Sequence, residues 1–273
     1  MTGANRGIGR AVTTDLVSAR GWRVIAVCRD PREGEGLRRA LATCPGEVRV
    51  VIGDLAGARV AREAAARIRA ACDRIDVLIH NAGVWPARRE LVEGGVERAF
   101  AVNHLAPFLL NHELEPRLVD GGRIVQVSAG LHVKGRADVE RVWNGASFHP
   151  IRTYADTKLC NLLTLARFAE RLRPRGIAIN AVHPGVIRTG LGDRGGPLGL
   201  LLRLVKRGWA DPTDAVAPIV RLARDPALAG VSGRYYEIEQ EQPLAPLAAD
   251  PVVADAVWRQ ARRLSGLDPL AAA

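Results

Sequence analysis

Residues 153 to 160 read TYADTKLC, which sets Tyr154 and Lys158 four positions apart. On a helix that spacing brings both side chains to one face, one turn from each other. An ammonium beside a phenol favours the phenolate and lowers a pKa that otherwise lies at about 10, so the tyrosine can exchange a proton near neutral pH. The pair alone is common by chance. Its meaning depends on a second cluster at the other end of the chain.

That cluster is the opening, MTGANRGIGR, with Gly3, Gly7 and Gly9 around Arg6 and Ile8. Glycines at these places let a backbone come close to a pyrophosphate, and a following helix offers free N–H groups and the positive end of its dipole. The next apolar run, VIAVCRD, indicates which dinucleotide fits. An acid at the end of that strand would bond the ribose hydroxyls of NAD, whereas arginine accommodates the extra phosphate of NADP. Cys28 is the expected last inward position, so Arg29 rather than Asp30 follows it, and Arg6 adds a second cation. NADP is therefore expected over NAD.

The elements that must hold these groups alternate along the chain. WRVIAVC, VRVVIGD, IDVLIH, RIVQVSA and GIAINAVH read as buried strands, separated by helical runs such as ARVAREAAARIRAA, VERAFAVNHLAPFLLNHEL and TYADTKLCNLLTLARFAERL. Continuously apolar strands alternating with helices predict a parallel sheet covered on both faces, a doubly wound Rossmann-type α/β fold. No repeat or linker divides the 273 residues, which are expected to form one domain. Its later parts would be a variable segment over 190–212 and a last strand and C-terminal helix over 234–267.

Composition narrows the function further. The net charge is +10, and 36 of the 39 basic residues are arginine, a bias typical of a GC-rich genome. The arginines are spread through every predicted helix rather than gathered in one stripe, so a nucleic-acid partner is not expected. Cys28, Cys44, Cys72 and Cys160 show no paired spacing that would hold a metal. The opening residues do not read as a secretory signal, and the expected setting is a reducing cytoplasm. The stretch PLGLLLRLV is far shorter than the ~20 residues of a membrane span.

TGANRGIG, GDL at 53–55, HNAG at 80–83, VNHLAPFLL at 102–110, YADTK and VHPGVIRTGL at 182–191 occur in an order that resembles the short-chain dehydrogenase/reductase family. The resemblance runs from Thr2 to about Leu267 and is nearest its retinol dehydrogenase-like branch. It implies that Gly3, Gly7 and Gly9 hold the pyrophosphate and that Asp54 and Leu55 flank the adenine. Asn81, Ala82 and Gly83 would line the adenosine side, with Pro184, Gly185 and Thr189 at the nicotinamide end. Asn103 would hold a water linked to Lys158, Lys158 would bind the ribose, and Tyr154 would act as general acid or base. The hydride itself belongs to the cofactor. The helices carrying Asn103 and Tyr154 are those through which relatives dimerise, which implies a homodimer or homotetramer. Leu200, Leu201, Leu202 and Leu204 in the variable segment imply an apolar alcohol or carbonyl substrate.

Two departures stand out. The strand before the catalytic helix reads QVSAG where the family has Val-Ser-Ser, so Ser128 matches the first serine and Ala129 occupies the catalytic place. Successive strand residues face opposite ways, so Ser128 cannot take over without a backbone shift. Losing one donor to a developing oxyanion costs ~10²- to 10³-fold in rate, with His132, Ser147 or a water as candidate substitutes. A catalytically weak dinucleotide-binding sensor is the alternative function. The second departure is the absence of a strand before the glycine turn. Five or six buried residues at ~1.5–3 kcal/mol each are worth about 10 kcal/mol, and without them the chain is expected to fold poorly. Met1 is expected to be an internal valine codon read as a start, with about five to fifteen residues upstream.

Overall fold

The computed structural model describes residues 1–192 and 208–268. Among the described residues seven strands form: β1 Arg23–Cys28, β2 Glu47–Ile52, β3 Ile75–His80, β4 Leu118–Val127, β5 Ala178–His183, β6 Tyr235–Glu237 and β7 Gln240–Gln242. The helices in chain order begin with α1 Gly7–Ser18, α2 Pro31–Ala40, α3 Ala58–Ala71 and α4 Arg98–Phe100. They continue with α5 Ala106–Leu114, α6 Val139–Val142, α7 Pro150–Leu163, α8 Leu165–Leu172, α9 Val216–Arg224 and α10 Pro251–Leu264.

The strands β1 and β2 pair in parallel, and β3, β4, β5 and β6 form a second parallel run that ends in the antiparallel β7. Neighbouring strand residues divide between two cores. Leu78, Ile124 and Ala181 pack with Phe108 and Leu159 of α5 and α7, whereas Ile79, Val125 and Val182 pack with Leu16 of α1 and Ile219 of α9. Helices thus cover both faces, which is why the strands read as unbroken apolar runs. This is the Rossmann-type α/β fold expected from the sequence.

Between β1 and β3 the sheet is joined, among the described residues, by the backbone of Met1, Thr2 and Gly3. Thr2 N donates to Ile79 O at 3.0 Å and Val27 N to Met1 O at 2.9 Å, while Gly3 N donates to Val27 O at 3.0 Å. The Met1 ammonium donates to Ile25 O at 2.8 Å, and its burial lowers its pKa to about 6. Beyond that bridge the facing edges of β1 and β3 have no strand partner among the described residues. A cavity of about 450 Å³ lies there, lined by Ile25, Val27, Ile75, Val77 and Ile79 among others. This slot lies between the two edges.

Two of the expected long helices are interrupted. The run over 97–114 passes from α4 into α5 through a π-turn at Ala101–Leu105, and the run over 153–172 breaks at Thr164 into α7 and α8. Thr164 Oγ1 donates to Cys160 O and Asn161 O at 3.2 Å, a competing bond that bends a helix. Residues 193–207, with the leucine cluster, lie outside the described residues. The segment's flanks are fixed to each other: Arg188 N donates to Ala210 O at 2.8 Å and Ala210 N to Val186 O at 3.1 Å.

Candidate active site

The glycine turn is built by steric necessity. Gly3 and Gly7 have φ of +62° and +50°, and a Cβ on Gly9 would lie 2.0 Å from Gly3 O. The helix α1 starts at Gly7 with no side-chain cap and no acid in its first turn, leaving its N–H groups to an anion. The turn is tied to the HNAG loop after β3. Asn81 Nδ2 donates to Thr2 O at 3.1 Å and Gly3 O at 3.0 Å, while Asn81 N and Ala82 N both donate to Thr2 Oγ1 at 3.1 Å. Asn81 therefore spends its amide on shaping the turn. The Thr2 hydroxyl is equally part of this support, a role that its place in the TG motif signalled but that spacing alone did not.

Around the adenosine side, β1 ends at Cys28 and Asp30 caps α2, its carboxylate accepting from Arg32 N at 2.8 Å. That bond occupies the acid that could otherwise have been taken as the NAD-selecting group. Arg6 and Arg29 are exposed and form no ion pair among the described residues. Asp54 turns back on its own loop, accepting from Leu55 N and Ala56 N, and Leu55 is buried beside it. At the far end, Pro184 is buried, Gly185 has φ of +98°, and a Cβ on Gly7 would come 3.2 Å from Thr189 Cγ2. Thr189 is thereby brought against the glycine turn. A cradle that a Cβ would fill, an uncapped helix start and unpaired arginines fit a dinucleotide phosphate.

Tyr154 and Lys158 share one face of α7, both buried, with the Lys158 Nζ 5.8 Å from the centre of the Tyr154 ring. Lys158 Nζ donates to Val127 O at 2.9 Å, and burial lowers its pKa to about 8. The expected lowering of the Tyr154 pKa is not found: burial pushes the phenol well above its ordinary range. Among the groups around the ring, Trp85 stacks on it with centroids 4.8 Å apart and planes at 16°. No reading of the sequence had singled out Trp85, although a tryptophan two residues beyond the loop glycine was a visible signal.

Asn103 lies within the π-turn, a distortion frequent at functional sites. Its side chain accepts from Val84 N at 2.8 Å and donates to Val84 O at 2.9 Å and Thr157 Oγ1 at 3.0 Å. Its carbonyl accepts from Asn161 Nδ2 at 2.8 Å. Asn103 thus clamps the loop beyond Gly83 to α7, and a Cβ on Gly83 would sit 3.6 Å from Asn103 Oδ1 and 4.0 Å from Lys158 Nζ.

At the strand end after β4, Ser128 and Ala129 differ in exposure. Ser128 is buried and its Oγ has no partner among the described residues, whereas Ala129 is half-exposed at the start of the following turn. His132 is buried, bonded through Nδ1 to Ala129 O at 3.0 Å and set edge-on to Tyr235. Ser147 is exposed and its Oγ accepts from Arg141 at 3.4 Å. The two side chains among the candidate substitutes, His132 and Ser147, thus have other engagements. His183, unremarked in the sequence, lies under this turn: a Cβ on Gly130 would come 3.2 Å from its Nε2.

A glycine turn on a helix start, with a tyrosine and lysine together on one helix face, is an arrangement suited to a dinucleotide-dependent oxidoreductase. The family model described as short chain dehydrogenase matches residues 1–195. The chain belongs to the short-chain dehydrogenase/reductase family of oxidoreductases, on its retinol dehydrogenase-like branch. It is 35% identical over 279 residues to human retinol dehydrogenase 13, covering 98% of this chain and 84% of that one. It is likewise 35% identical over 289 residues to human retinol dehydrogenase 14, covering 98% and 85%. Among solved structures, an uncharacterised protein of Mycobacterium paratuberculosis matches with a TM-score of 0.74 and 30% identity, covering 97% of this chain and 91% of that one. A blue fluorescent protein from a metagenomic library, solved with NADPH, matches at 0.69 and 26%, covering 87% and 94%.

Proposed function

We propose that this protein is an NADP-dependent alcohol dehydrogenase or carbonyl reductase that interconverts an apolar alcohol and its aldehyde or ketone, with Tyr154 as general acid and base. The observation that carries the reading is Tyr154 and Lys158 on one face of α7, tied through Asn103 to the loop that also braces the glycine turn. Preference for NADP rests on Arg6 and Arg29 being unpaired while Asp30 is engaged as a helix cap.

Gly3, Gly7 and Gly9 would receive the pyrophosphate at the start of α1, and Arg6 and Arg29 the extra phosphate. Asp54 and Leu55 would flank the adenine, and Asn81, Ala82 and Gly83 the adenosine. Pro184, Gly185 and Thr189 would border the nicotinamide. When bound, the dinucleotide supplies the hydride in reduction and takes it in oxidation. In reduction, Tyr154 gives its hydroxyl proton to the substrate oxygen as that oxygen becomes negative; in oxidation it recovers the proton. Lys158 would hold the cofactor ribose and, when protonated, would favour the phenolate between turnovers. Assembly as a homodimer or homotetramer, one domain over 1–273 and an apolar pocket under 190–212 belong to the same proposal. So does a cytoplasmic setting; no helix among the described residues is long and apolar enough to cross a membrane.

A second reading, a weakly catalytic dinucleotide-binding sensor, is favoured by one observation, Ala129 at the oxyanion position beside the unpartnered Ser128 Oγ. NADPH oxidation with a panel of apolar aldehydes and ketones separates the two. Turnover that falls ~10²- to 10⁴-fold in Tyr154→Phe supports the enzyme. No turnover, or equal turnover in that variant, supports the sensor.

A further inference from the structure

One row of side chains crosses three strand ends on the face that α7 covers. Val127, Val182 and Tyr236 are neighbours in register on β4, β5 and β6, and all three belong to the core under α1 and α9. The next residue on each strand must face the other way, towards α7. Those residues are Ser128, His183 and Glu237. Ser128 N donates to Val182 O at 2.7 Å, which carries the register past the end of β4, and His183 pairs with Glu237. Strands lie ~4.8 Å apart, so neighbours in the row stand within reach of a hydrogen bond or a bridging water. Ser128 Oγ and His183 Nδ1 are buried without a partner among the described residues. Glu237 is exposed, and its carboxylate accepts from the Tyr235 hydroxyl at 3.0 Å. At the other end, Lys158 Nζ donates to Val127 O, the carbonyl of the peptide that leads into Ser128. Burial lowers the His183 pKa; Glu237 opposes that, and the His132 and Lys158 charges add to it. Asn103, by contrast, has its amide spent on Val84 and Thr157 and its carbonyl bonded to Asn161.

We propose that Ser128, His183 and Glu237 form a proton relay between Lys158 and solvent. It rests on the reaction proposed above, in which each reduction removes one proton from the hydroxyl of a buried Tyr154 beside a buried Lys158. The phenolate oxygen regains a proton from the Lys158 ammonium, and the amine left behind takes one from the row through the Ser128 hydroxyl. His183 releases a proton from one ring nitrogen as it gains one at the other from the Glu237 side, the shuttle chemistry of an imidazole. Glu237 is refilled from water. One proton thus enters at Glu237 for each proton lost at Tyr154, and oxidation runs the row in reverse. His183 acts through Lys158 without touching substrate, so it governs proton delivery rather than affinity.

The test follows NADPH-dependent reduction of decanal by the full chain. In His183→Gln, kcat should fall by about 100-fold, the KM for NADPH and for decanal should change little, and the solvent deuterium isotope effect on kcat should grow. Added imidazole should restore much of the rate in His183→Ala and none in Tyr154→Phe, a rescue that a merely structural role does not give. Thermal unfolding checks that each variant is folded, and the glutamine variant keeps a polar side chain under Gly130 should the alanine variant fail. A second reading needs no turnover: nitrogen-15 NMR of labelled histidine gives the titration midpoint of His183 in wild type and in Glu237→Gln. Neutralising that carboxylate should lower the midpoint by about one pH unit. No decanal reduction in wild type, with the midpoint still lowered, would sink the proposed reaction and leave the row as a coupled proton path. An unchanged kcat in His183→Gln, a loss that imidazole does not restore, or an unmoved midpoint overturns the relay.

Discussion

The half of the sheet to which Lys158 is bonded is a run of five hydrogen-bonded strands, while the half that would carry the adenosine has two, and among the described residues the backbone of Met1, Thr2 and Gly3 links them. The proposed site straddles this seam: Tyr154, Lys158 and Asn103 stand over the complete half, and Arg29 and Asp54 over the other. The contrast teaches that chemistry and cofactor binding depend on backbones of unequal support. Parallel strands are stabilised by partners on both sides and helices on both faces, and β1 lacks most of one such partner.

Filling the slot should have the largest effect. A chain lengthened at Met1 by six apolar β-branched residues should gain roughly 5–10 kcal/mol, at ~1.5–3 kcal/mol per buried side chain. Hydrogen exchange should show β1 and β2 amides exchanging faster than those of β4 and β5 before the extension and alike after it. An unchanged urea midpoint would break the comparison. Next is Ala129→Ser, which restores a donor at the end of β4 and should raise kcat by about 10- to 100-fold. It should leave the KM for NADPH in place, since the change lies wholly in the complete half; equal rates would mean that another group already fills the role.

Arg29→Ala should raise the KM for NADPH by about tenfold, the worth of a charge-assisted bond, while the KM for NADH and kcat stay put. Loss of both cofactors in parallel would assign Arg29 to folding instead. The smallest and most distributed effect is on acid stability. Burial lowers His80 and His104 from 6.5 to about 4, and His112 likewise. Their unfolded forms bind more protons between those values, so stability is full above pH 6.5 and declines towards pH 4. Glu97, raised by burial from 4.5 to about 6, opposes this over its own window. The Met1 amine, lowered from 8.0 to about 6, contributes an earlier loss as pH falls from 8 to 6. Urea midpoints across pH 4–8 should therefore fall in two stages, and His104→Gln should flatten only the more acidic one.

Much of the fold was legible because both of its signals are local. Runs such as IDVLIH and RIVQV are apolar on both faces, and that is the mark of a strand covered twice. The breaks in the helices were less legible. The π-turn at Ala101–Leu105 depends on Asn103 reaching Val84 and Thr157, contacts with residues far along the chain. At the site, the four-residue spacing of Tyr154 and Lys158 and the glycine turn could be read directly. The state of the tyrosine could not, because the sequence counts the lysine nearby but not how deeply the fold buries the ring.

By itself the sequence determined the alternation of strands and helices, the glycines that permit a close backbone turn, the pairing of tyrosine with lysine, and the alanine where a serine would serve. These follow from residue type and short spacing, since backbone freedom and helical geometry act over a few residues. The tertiary structure decided that Asp30 caps a helix, that the Thr2 hydroxyl braces the HNAG loop, that Lys158 is bonded to the end of β4, and that Trp85 stacks on Tyr154. Each of these joins groups distant along the chain, and only the packing of helices on both faces of the sheet brings such groups within hydrogen-bonding or van der Waals reach.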